Sequence, residues 1–174
     1  MHKMFYEGIE SEYAGKYRDI DVFISGSQYP VAEPRRIKTE MDELFQWIET
    51  EREKIHPVVF AAQLHNKFVF IHPFKDGNGR IARLIMNTAL IHNRYLLTVI
   101  PPVLRLEYIQ LLEKAHRADK PFEEFIAERV LDSQKEVCAF CTCQYRNMVR
   151  VLMNSTRLMI IGLRSLLPSV EEVQ

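Results

Sequence analysis

The sequence predicts an all-α fold with one small β-hairpin. Apolar residues recur at helical spacing through most of the chain, glycines and prolines punctuate it, and the plausible strand residues lie near position 20. At 174 residues the chain is long enough for a single domain with a substantial core. Lys+Arg and Asp+Glu both number 23, so the zero net charge argues against nucleic acid or an anionic membrane as a partner.

The chain is expected to be cytoplasmic and to have no membrane-spanning segment. It contains no run of about 18 apolar residues and no secretory signal at its start. Three cysteines cluster at positions 138, 141 and 143. A CxxC spacing can mark a redox or metal half-site, but a second pair is missing. We therefore interpret these cysteines as reduced, buried or partly buried thiols on a helix.

The first predicted elements are a short helix and a hairpin. Apolar residues at positions 1, 4, 5 and 9 indicate a helix within 1–14, which Gly15 should end. Residues 21–24 form a plausible strand, and residues 25–27 a plausible turn. Pro30 and Pro34 then make the return strand irregular or edge-like.

Two helices follow the hairpin. Thr39 is a suitable N-cap for the first, whose inner stripe would contain apolar residues at 37, 41, 44, 45 and 48. Pro57 suits the first turn of the second, residues 58–71. Because this second helix is apolar nearly all round, it should run through the centre of the domain. His65 interrupts it and is interpreted as a hydrogen-bonded structural residue.

The most informative stretch is residues 72–83, HPFKDGNGRIAR. Pro73 biases His72 away from helical geometry, so the preceding helix should end at or just before His72. Gly77 and Gly79 allow a ligand to approach the main chain closely. A helix over 81–91 then follows, and its N-terminal N–H groups would be available to an anion.

Two cations favour a phosphate ligand at this helix start. Arg80 and Arg83 share one face of the first turns, where they oppose the helix dipole unless something strongly negative binds there. Asn87 extends the same face by one turn. His72 titrates near neutral pH and can act as a general base, whereas the carboxylate of Asp76 suits Mg²⁺.

A zinc site is the weaker interpretation of His72 and Asp76, because two ligands are too few. Downstream, Pro101 and Pro102 break the chain before two helices that separate near 119–121. Apolar residues at 122, 125 and 126 should face inward. Residues 131–167 are helix-compatible throughout and are interpreted as a terminal helix packed on the domain, with a membrane-surface or partner-binding helix as the alternative.

Residues 72–83 resemble the Fic motif, HPFx(D/E)GNGRxxR, at every specified position, and the resemblance extends over roughly residues 1–129. It implies a Fic-fold helical domain with a small β-hairpin flap beside the active site. The implied core is 1–142, with the flap at about 20–37 and the motif at 72–83. Residues 143–174 would be a C-terminal helical extension packed on that core.

The resemblance to Fic proteins implies transfer of AMP from ATP to a Ser, Thr or Tyr hydroxyl of a target protein, with release of pyrophosphate and dependence on Mg²⁺. It gives His72 the role of catalytic base and Asp76 that of metal ligand. The nucleotide would be bound by seven further residues: Gly77, Asn78, Gly79, Arg80, Arg83, Asn87 and His116. His116 stands where the family often has an asparagine close to the adenine.

The resemblance also implies that the flap binds an extended segment of the target by strand addition, an ordinary surface hairpin being the alternative. The implied flap residues are Val22, Phe23, Ile24, Ser25 and Gly26. Three other activities stay open: Doc-like phosphate transfer, UMP transfer and a non-catalytic nucleotide-binding module. Doc toxins have lysine in place of Arg80, and loss of His72 would be expected of a silent module.

Many Fic proteins carry an inhibitory helix, (S/T)xxxE(G/N), whose glutamate pairs with the residue that matches Arg83. Glu7 and Gly8 come closest to this pattern, but Lys3 occupies the Ser/Thr position. The chain is therefore expected to be uninhibited as written. A separate antitoxin-like protein could supply the helix, or a longer chain could have lost it; self-modification is a further expectation.

Overall fold

Helices make up the regular structure in the computed structural model, which describes residues 1–24 and 26–141. Two compact units are found, Met1–Gln134 and Lys135–Gln174. The helices of the first unit are α1 (His2–Tyr6), α2 (Ile37–Glu51), α3 (Pro57–Ile71), α4 (Asn78–His92) and α5 (Arg105–Ala115). Residues 120–134 are also helical, as are residues 135–141 of the second unit. No described residue lies in a strand, so the all-α prediction is confirmed for the described part of the chain.

Helix α3 runs through the core, as its nearly uniform apolar character predicts. Phe60, Leu64 and Phe68 are buried with residues of α2 and of the loop after α3. Val58 and Ala62 are buried in a second cluster with residues of α4 and of the 120–134 helix. Because α3 contributes to both clusters, the core holds it in place, and its C-terminal end sets the position of the loop that follows.

The start of α3 combines a predicted feature with one that the sequence analysis missed. Pro57 lies in the first turn, as predicted. The Nδ1 atom of His56 accepts a hydrogen bond from the Val58 N–H at 3.3 Å, so a histidine caps this helix. Histidine is not a preferred N-cap residue, and a search for Ser, Thr, Asp or Asn overlooks it.

The first two helices differ from their predicted limits. Helix α1 ends at Tyr6, and turns replace the rest of the helix expected within 1–14. A 3-10 turn, Pro34–Arg36, leads directly into α2 at Ile37, so the predicted N-cap Thr39 already lies inside the helix. Ile37, Met41 and Leu44 are buried as expected, whereas Phe45 is exposed, so its predicted place in the inner stripe is wrong.

The segment expected to form the flap folds back without strand pairing among its described residues. A turn is present where it was predicted, because the Ser27 N–H donates to the Ile24 carbonyl at 3.0 Å. The Gln28 N–H instead donates to the Glu113 carboxylate at 3.0 Å, and two prolines on the return side have no N–H. The Gln28 N–H is therefore occupied, the prolines offer no donor, and none of these positions can donate to a hairpin ladder.

The downstream helices bear out the predicted inward-facing residues. Phe122, Phe125 and Ile126 are all buried. In the second unit, Cys138 and Cys141 are exposed, so the prediction of buried thiols is wrong at these two positions. Every described residue from 135 to 141 is exposed. Cys143 and the predicted extension 143–174 lie outside the described residues. No helix within the described residues is long and apolar enough to cross a membrane.

Candidate active site

The loop between α3 and α4 is held by its own residues. Helix α3 ends at Ile71, and its C-cap His72 adopts a left-handed conformation with φ 52° and ψ 56°. The predicted end point is therefore correct, although the residue is left-handed and not extended. The side chain of Asn78 accepts from the Phe74 N–H at 2.9 Å and donates to the Phe74 carbonyl at 2.7 Å. Gly77, with φ 80°, precedes the first turn of α4.

Arg18 supports the same loop from outside the motif. Its side chain is buried and donates to the carbonyls of His72, at 2.8 Å, of Ile20, at 2.9 Å, and of Ala32. The Arg18 N–H also donates to the Pro73 carbonyl at 2.9 Å. Arg18 thus ties both sides of the 20–32 segment to the left-handed C-cap residue of α3.

The hydrogen bonding of His72 fixes which ring nitrogen carries a proton. Its Nδ1 atom lies 3.2 Å from the Val69 carbonyl, which can only accept, so Nδ1 carries the hydrogen. In the neutral ring Nε2 is then unprotonated. Burial is the main cause that lowers the pKa of His72 below its usual 6.5. The imidazole is therefore predominantly neutral at pH 7, with Nε2 able to accept a proton.

Asp76, Arg80 and Tyr6 form a cluster at the start of α4. The Asp76 carboxylate accepts a hydrogen bond from the Tyr6 hydroxyl at 2.7 Å and lies 2.8 Å from an Arg80 nitrogen. Arg80 also donates to the Tyr6 hydroxyl. The Tyr6 hydrogen bond is the largest cause that lowers the pKa of Asp76, while burial and then this same bond raise the pKa of Tyr6 to about 12.

A cavity of about 430 Å³ brings most of the predicted site together, a size within the range of small-molecule sites. It is lined by residues from three separate segments, between 24 and 31, between 69 and 83, and between 105 and 116. The predicted site residues among them are Ile24, His72, Asp76, Gly77, Asn78, Gly79, Arg80, Arg83 and His116.

His116 lies at one side of the cavity in an aromatic stack. Its ring stacks on that of Phe70, with centroids 3.8 Å apart, and on that of Tyr29, with centroids 4.0 Å apart. Arg117 donates to the Tyr29 hydroxyl at 2.9 Å and so holds the outer ring. Burial lowers the pKa of His116, and the negative charge of Glu113 opposes that effect.

The sequence of the chain also matches a known protein family. The model of the Fic/DOC family matches residues 1–90, which is more than half of the chain. The chain belongs to the Fic/DOC family.

Individual relatives agree with this membership. The chain is 38% identical over 130 residues to a protein adenylyltransferase Fic of Nematostella vectensis, an alignment that covers 69% of this chain and 29% of the relative. A protein of the same name from Drosophila grimshawi is 36% identical over 137 residues, covering 76% and 28%. The chain thus spans less than a third of the length of these curated relatives.

A solved structure supports the Fic fold. Fic-1, residues 134–508, from C. elegans superimposes with a TM-score of 0.72 at 29% sequence identity. The superposition covers 81% of this chain and 42% of that structure. The likeness therefore extends beyond the residues matched by the family model.

Some predicted residues of the Fic site lie outside the cavity wall. Asn87 donates to the carbonyls of Arg83, at 3.1 Å, and Thr98, at 3.0 Å, and accepts from the Thr98 N–H at 2.6 Å. Its amide thus holds the segment after α4 and does not line the cavity. Of the predicted flap, Val22, Phe23 and Gly26 are not in the wall either, and Phe23 is 89% exposed. Ser25 lies outside the described residues.

Sequence reasoning gave no site role to two residues of this Fic domain, Arg18 and Tyr6. The acceptors of Arg18 lie 2, 14 and 54 positions away, and Tyr6 reaches Asp76 across 70 positions. No local spacing reveals such pairs. A buried arginine could have been suspected only from its place in a YR-containing stretch before the predicted flap.

The Fic resemblance implies Mg²⁺, for which the cavity wall offers the carboxylate of Asp76. The described residues contain no group of three or more His, Cys, Asp and Glu residues that could hold a metal ion. Mg²⁺ bound together with phosphates needs only one or two carboxylates from the protein. Asp76 supplies one at the cavity wall, with a side chain 69% exposed, so the residues present fit this mode of binding.

Proposed function

We propose that this chain transfers AMP from ATP to a hydroxyl side chain of a target protein. The observation that carries the proposal is the state of His72, whose Nδ1–H is used by the Val69 carbonyl and whose Nε2 is left basic at a cavity wall. Arg80 and Arg83 lie in the same wall. A base beside two cations and a helix N-terminus suits attack of a hydroxyl on a phosphate.

Each group at the cavity has a separate role in the proposed transfer. The target oxygen attacks the α-phosphorus, the bond from that phosphorus to the oxygen bridging it to the β-phosphate breaks, and pyrophosphate leaves. His72 Nε2 takes the hydroxyl proton. The N–H groups at the start of α4, with Arg80 and Arg83, balance the negative charge that is redistributed onto the phosphate oxygens.

Asp76 is the residue proposed to hold Mg²⁺ together with the phosphates of ATP. When bound, the metal would neutralise phosphate charge. The Tyr6 hydroxyl and Arg80 both bond the Asp76 carboxylate, so the carboxylate is already oriented and its pKa is lowered. The nucleotide base is proposed to lie near His116, whose place between two aromatic rings supports a flat ligand in that part of the cavity.

The segment between residues 20 and 37 is proposed to bind the target as a flap by strand addition. Its position beside the cavity supports this role, because Ile24 lines the wall while neighbouring Phe23 is 89% exposed. Backbone groups here are not paired in a sheet among the described residues, which leaves an extended target segment a place to pair.

Inhibition is proposed to require a glutamate from elsewhere. Arg83 makes no ion pair within the described part of the chain, whereas Arg80 is paired with Asp76. An antitoxin-like partner, or a segment of a longer chain, could supply a carboxylate to Arg83 and so oppose nucleotide binding.

Radiolabelled ATP tests the transferred group. The chain would be incubated with cell lysate, Mg²⁺ and either α-³²P or γ-³²P ATP, in parallel with His72→Ala. AMP transfer predicts protein labelled from the α position only, with the label lost in the variant. Label from the γ position only would overturn the proposal in favour of phosphate transfer. UTP and CTP labelled at the α position, tested beside ATP, show whether another nucleotide is preferred.

A further inference from the structure

Arg83 differs from Arg80 in how the protein holds it. Arg80 lies 2.8 Å from the Asp76 carboxylate and over the rings of Phe5 and Tyr6. Arg83 has no carboxylate partner among the described residues, yet it lines the same cavity. A long cationic side chain without a partner samples many rotamers, and ordering it on ligand binding costs affinity. Something else must therefore orient Arg83 if it is to bind phosphate well.

The neutral group beside Arg83 is the hydroxyl of Tyr108 on α5. Both residues line the cavity. Burial raises the pKa of Tyr108, and the positive charge of the Arg83 guanidinium opposes that rise. An arginine can only donate, so the Tyr108 oxygen accepts in this pair. The hydrogen of the Tyr108 hydroxyl must then point elsewhere.

That hydrogen has an acceptor in the core. The Tyr108 oxygen lies 3.1 Å from Nε2 of His65, and the two rings meet edge to face, with centroids 5.7 Å apart. His65 is fully buried and stacks on Phe122 at 5.2 Å. Burial lowers the pKa of His65 to about 3, with the positive charge of Arg83 adding to the effect. His65 is therefore neutral at physiological pH and able to accept at Nε2.

We propose that His65 and Tyr108 are positioning residues that orient Arg83 for the phosphates of the nucleotide. In this arrangement Arg83 donates to the Tyr108 oxygen, and the Tyr108 hydroxyl donates to Nε2 of His65, 3.1 Å away. Because both partners are neutral, they fix the guanidinium without neutralising its charge, which stays available to the ligand. This inference rests on the proposed function, in which Arg83 binds ATP.

The test compares two tyrosines that each face a histidine. Tyr108→Phe removes only the hydroxyl next to Arg83. Tyr95→Phe is the matched control, since the Tyr95 hydroxyl lies 3.4 Å from Nε2 of His56 in a similar edge arrangement outside the cavity wall. The dissociation constant of the Mg²⁺ complex of AMPPNP would be measured by calorimetry. Loss of the hydrogen bond should weaken binding about tenfold in Tyr108→Phe and leave Tyr95→Phe unchanged.

A double-mutant cycle separates positioning from a general structural effect. In an Arg83→Ala background, adding Tyr108→Phe should change the dissociation constant less than about twofold, because the residue through which it acts is gone. His65→Leu should weaken binding as Tyr108→Phe does, and His65→Gln, which offers an oxygen acceptor, should recover part of the loss. Circular dichroism melting curves identify any variant that fails to fold, and Tyr108→Phe, the smallest change, then carries the test.

Three outcomes decide the inference. Equal affinities for Tyr108→Phe and Tyr95→Phe would overturn it. So would an undiminished effect of Tyr108→Phe in the Arg83→Ala background, because the hydroxyl would then act independently of Arg83. If the unmodified chain binds no AMPPNP, the proposed function fails and this inference fails with it; normal binding with no effect of Tyr108→Phe overturns the inference alone.

Discussion

Single hydrogen bonds set the chemistry of the residues around the cavity. A bond from Nδ1 of His72 to the Val69 carbonyl selects the ring nitrogen that can act as base. A bond from Tyr6 is the largest cause that lowers the pKa of Asp76. In both cases the partner lies outside the residues that would touch the phosphates. The side chains proposed to act in the transfer thus depend on neighbours that the motif itself does not include.

Tyr6→Phe should raise the pKa of Asp76 toward its ordinary value. The Tyr6 hydrogen bond is the largest cause of the lowered pKa, and phenylalanine cannot donate. Because the folded-state pKa is lowered, the stability contributed by Asp76 is present above its unfolded-state pKa and is lost as pH falls through the folded-state value. NMR titration of the Asp76 carboxyl carbon measures the change.

Tyr13→Phe is the control for this titration, since the Tyr13 ring contacts Lys75 and not Asp76. It should leave the Asp76 pKa where it is. An unchanged Asp76 pKa in Tyr6→Phe would show that Arg80 and the loop amides hold the carboxylate ionised without help from Tyr6.

The rate of transfer should fall in acid at a pH below 6.5. Burial lowers the pKa of His72 from that value, so the neutral base predominates at pH 7 and is lost as pH drops through the lowered pKa. The dependence of kcat/KM on pH measures this limb. AMPPNP affinity measured over the same range shows whether nucleotide binding accounts for the fall. A midpoint above 6.5 would contradict the lowered pKa.

At the scale of the elements, α1 approaches the loop between α3 and α4. Two glycines at this loop have different structural roles. Gly77 has φ +80°, and a Cβ atom there would lie 2.4 Å from a Tyr6 ring carbon. Gly79 lies inside α4, and a Cβ atom there would meet only an Arg83 nitrogen, at 3.6 Å. The left-handed conformation and the close approach of α1 thus both require glycine at position 77, while the backbone of position 79 does not.

Gly77→Ala should lower the free energy of unfolding by about 2 to 4 kcal/mol, from the strained φ and the contact with Tyr6. Gly79→Ala, its matched control, should raise it by about 0.5 to 1 kcal/mol, since alanine is favoured over glycine within a helix. Urea denaturation measures both changes. Equal effects of the two substitutions would contradict the role given to φ at Gly77.

Local signals account for the elements that sequence reasoning predicted well. Pro57 and Pro73 mark the two ends of α3, and apolar periodicity marks the inward face of the helix that carries Phe122. The described residues lack the predicted hairpin pairing, and Asn87 lies outside the cavity wall, because contacts with residues further along the chain decide the structure there. The Gln28 N–H, which follows the predicted turn, bonds Glu113 85 positions away. Asn87 has the spacing of a ligand residue, but its amide bonds Thr98. Neither partner can be read from spacing.

At the scale of the whole molecule, the cavity joins segments that are far apart in the chain. Its wall combines residues between 24 and 31, between 69 and 83, and between 105 and 116 of the first unit. The aromatic stack of Tyr29, His116 and Phe70 takes one ring from each segment. A ligand that contacts all three segments binds only when the unit is folded, so its binding should stabilise the fold as a whole.

Mg²⁺ with AMPPNP should therefore raise the melting temperature of the chain. At a free concentration of one hundred times the dissociation constant, the stabilisation is about 2.7 kcal/mol, or about 5 to 10 °C for a chain of this size. At that same concentration Arg83→Ala should shift much less, because its affinity is lower, whereas Arg52→Ala should shift like the unmodified chain, since exposed Arg52 lies outside this cavity. Differential scanning calorimetry measures the shifts. An equal shift in Arg83→Ala would mean that the nucleotide binds without Arg83, and the phosphate site would then have to be sought among the remaining donors of the loop.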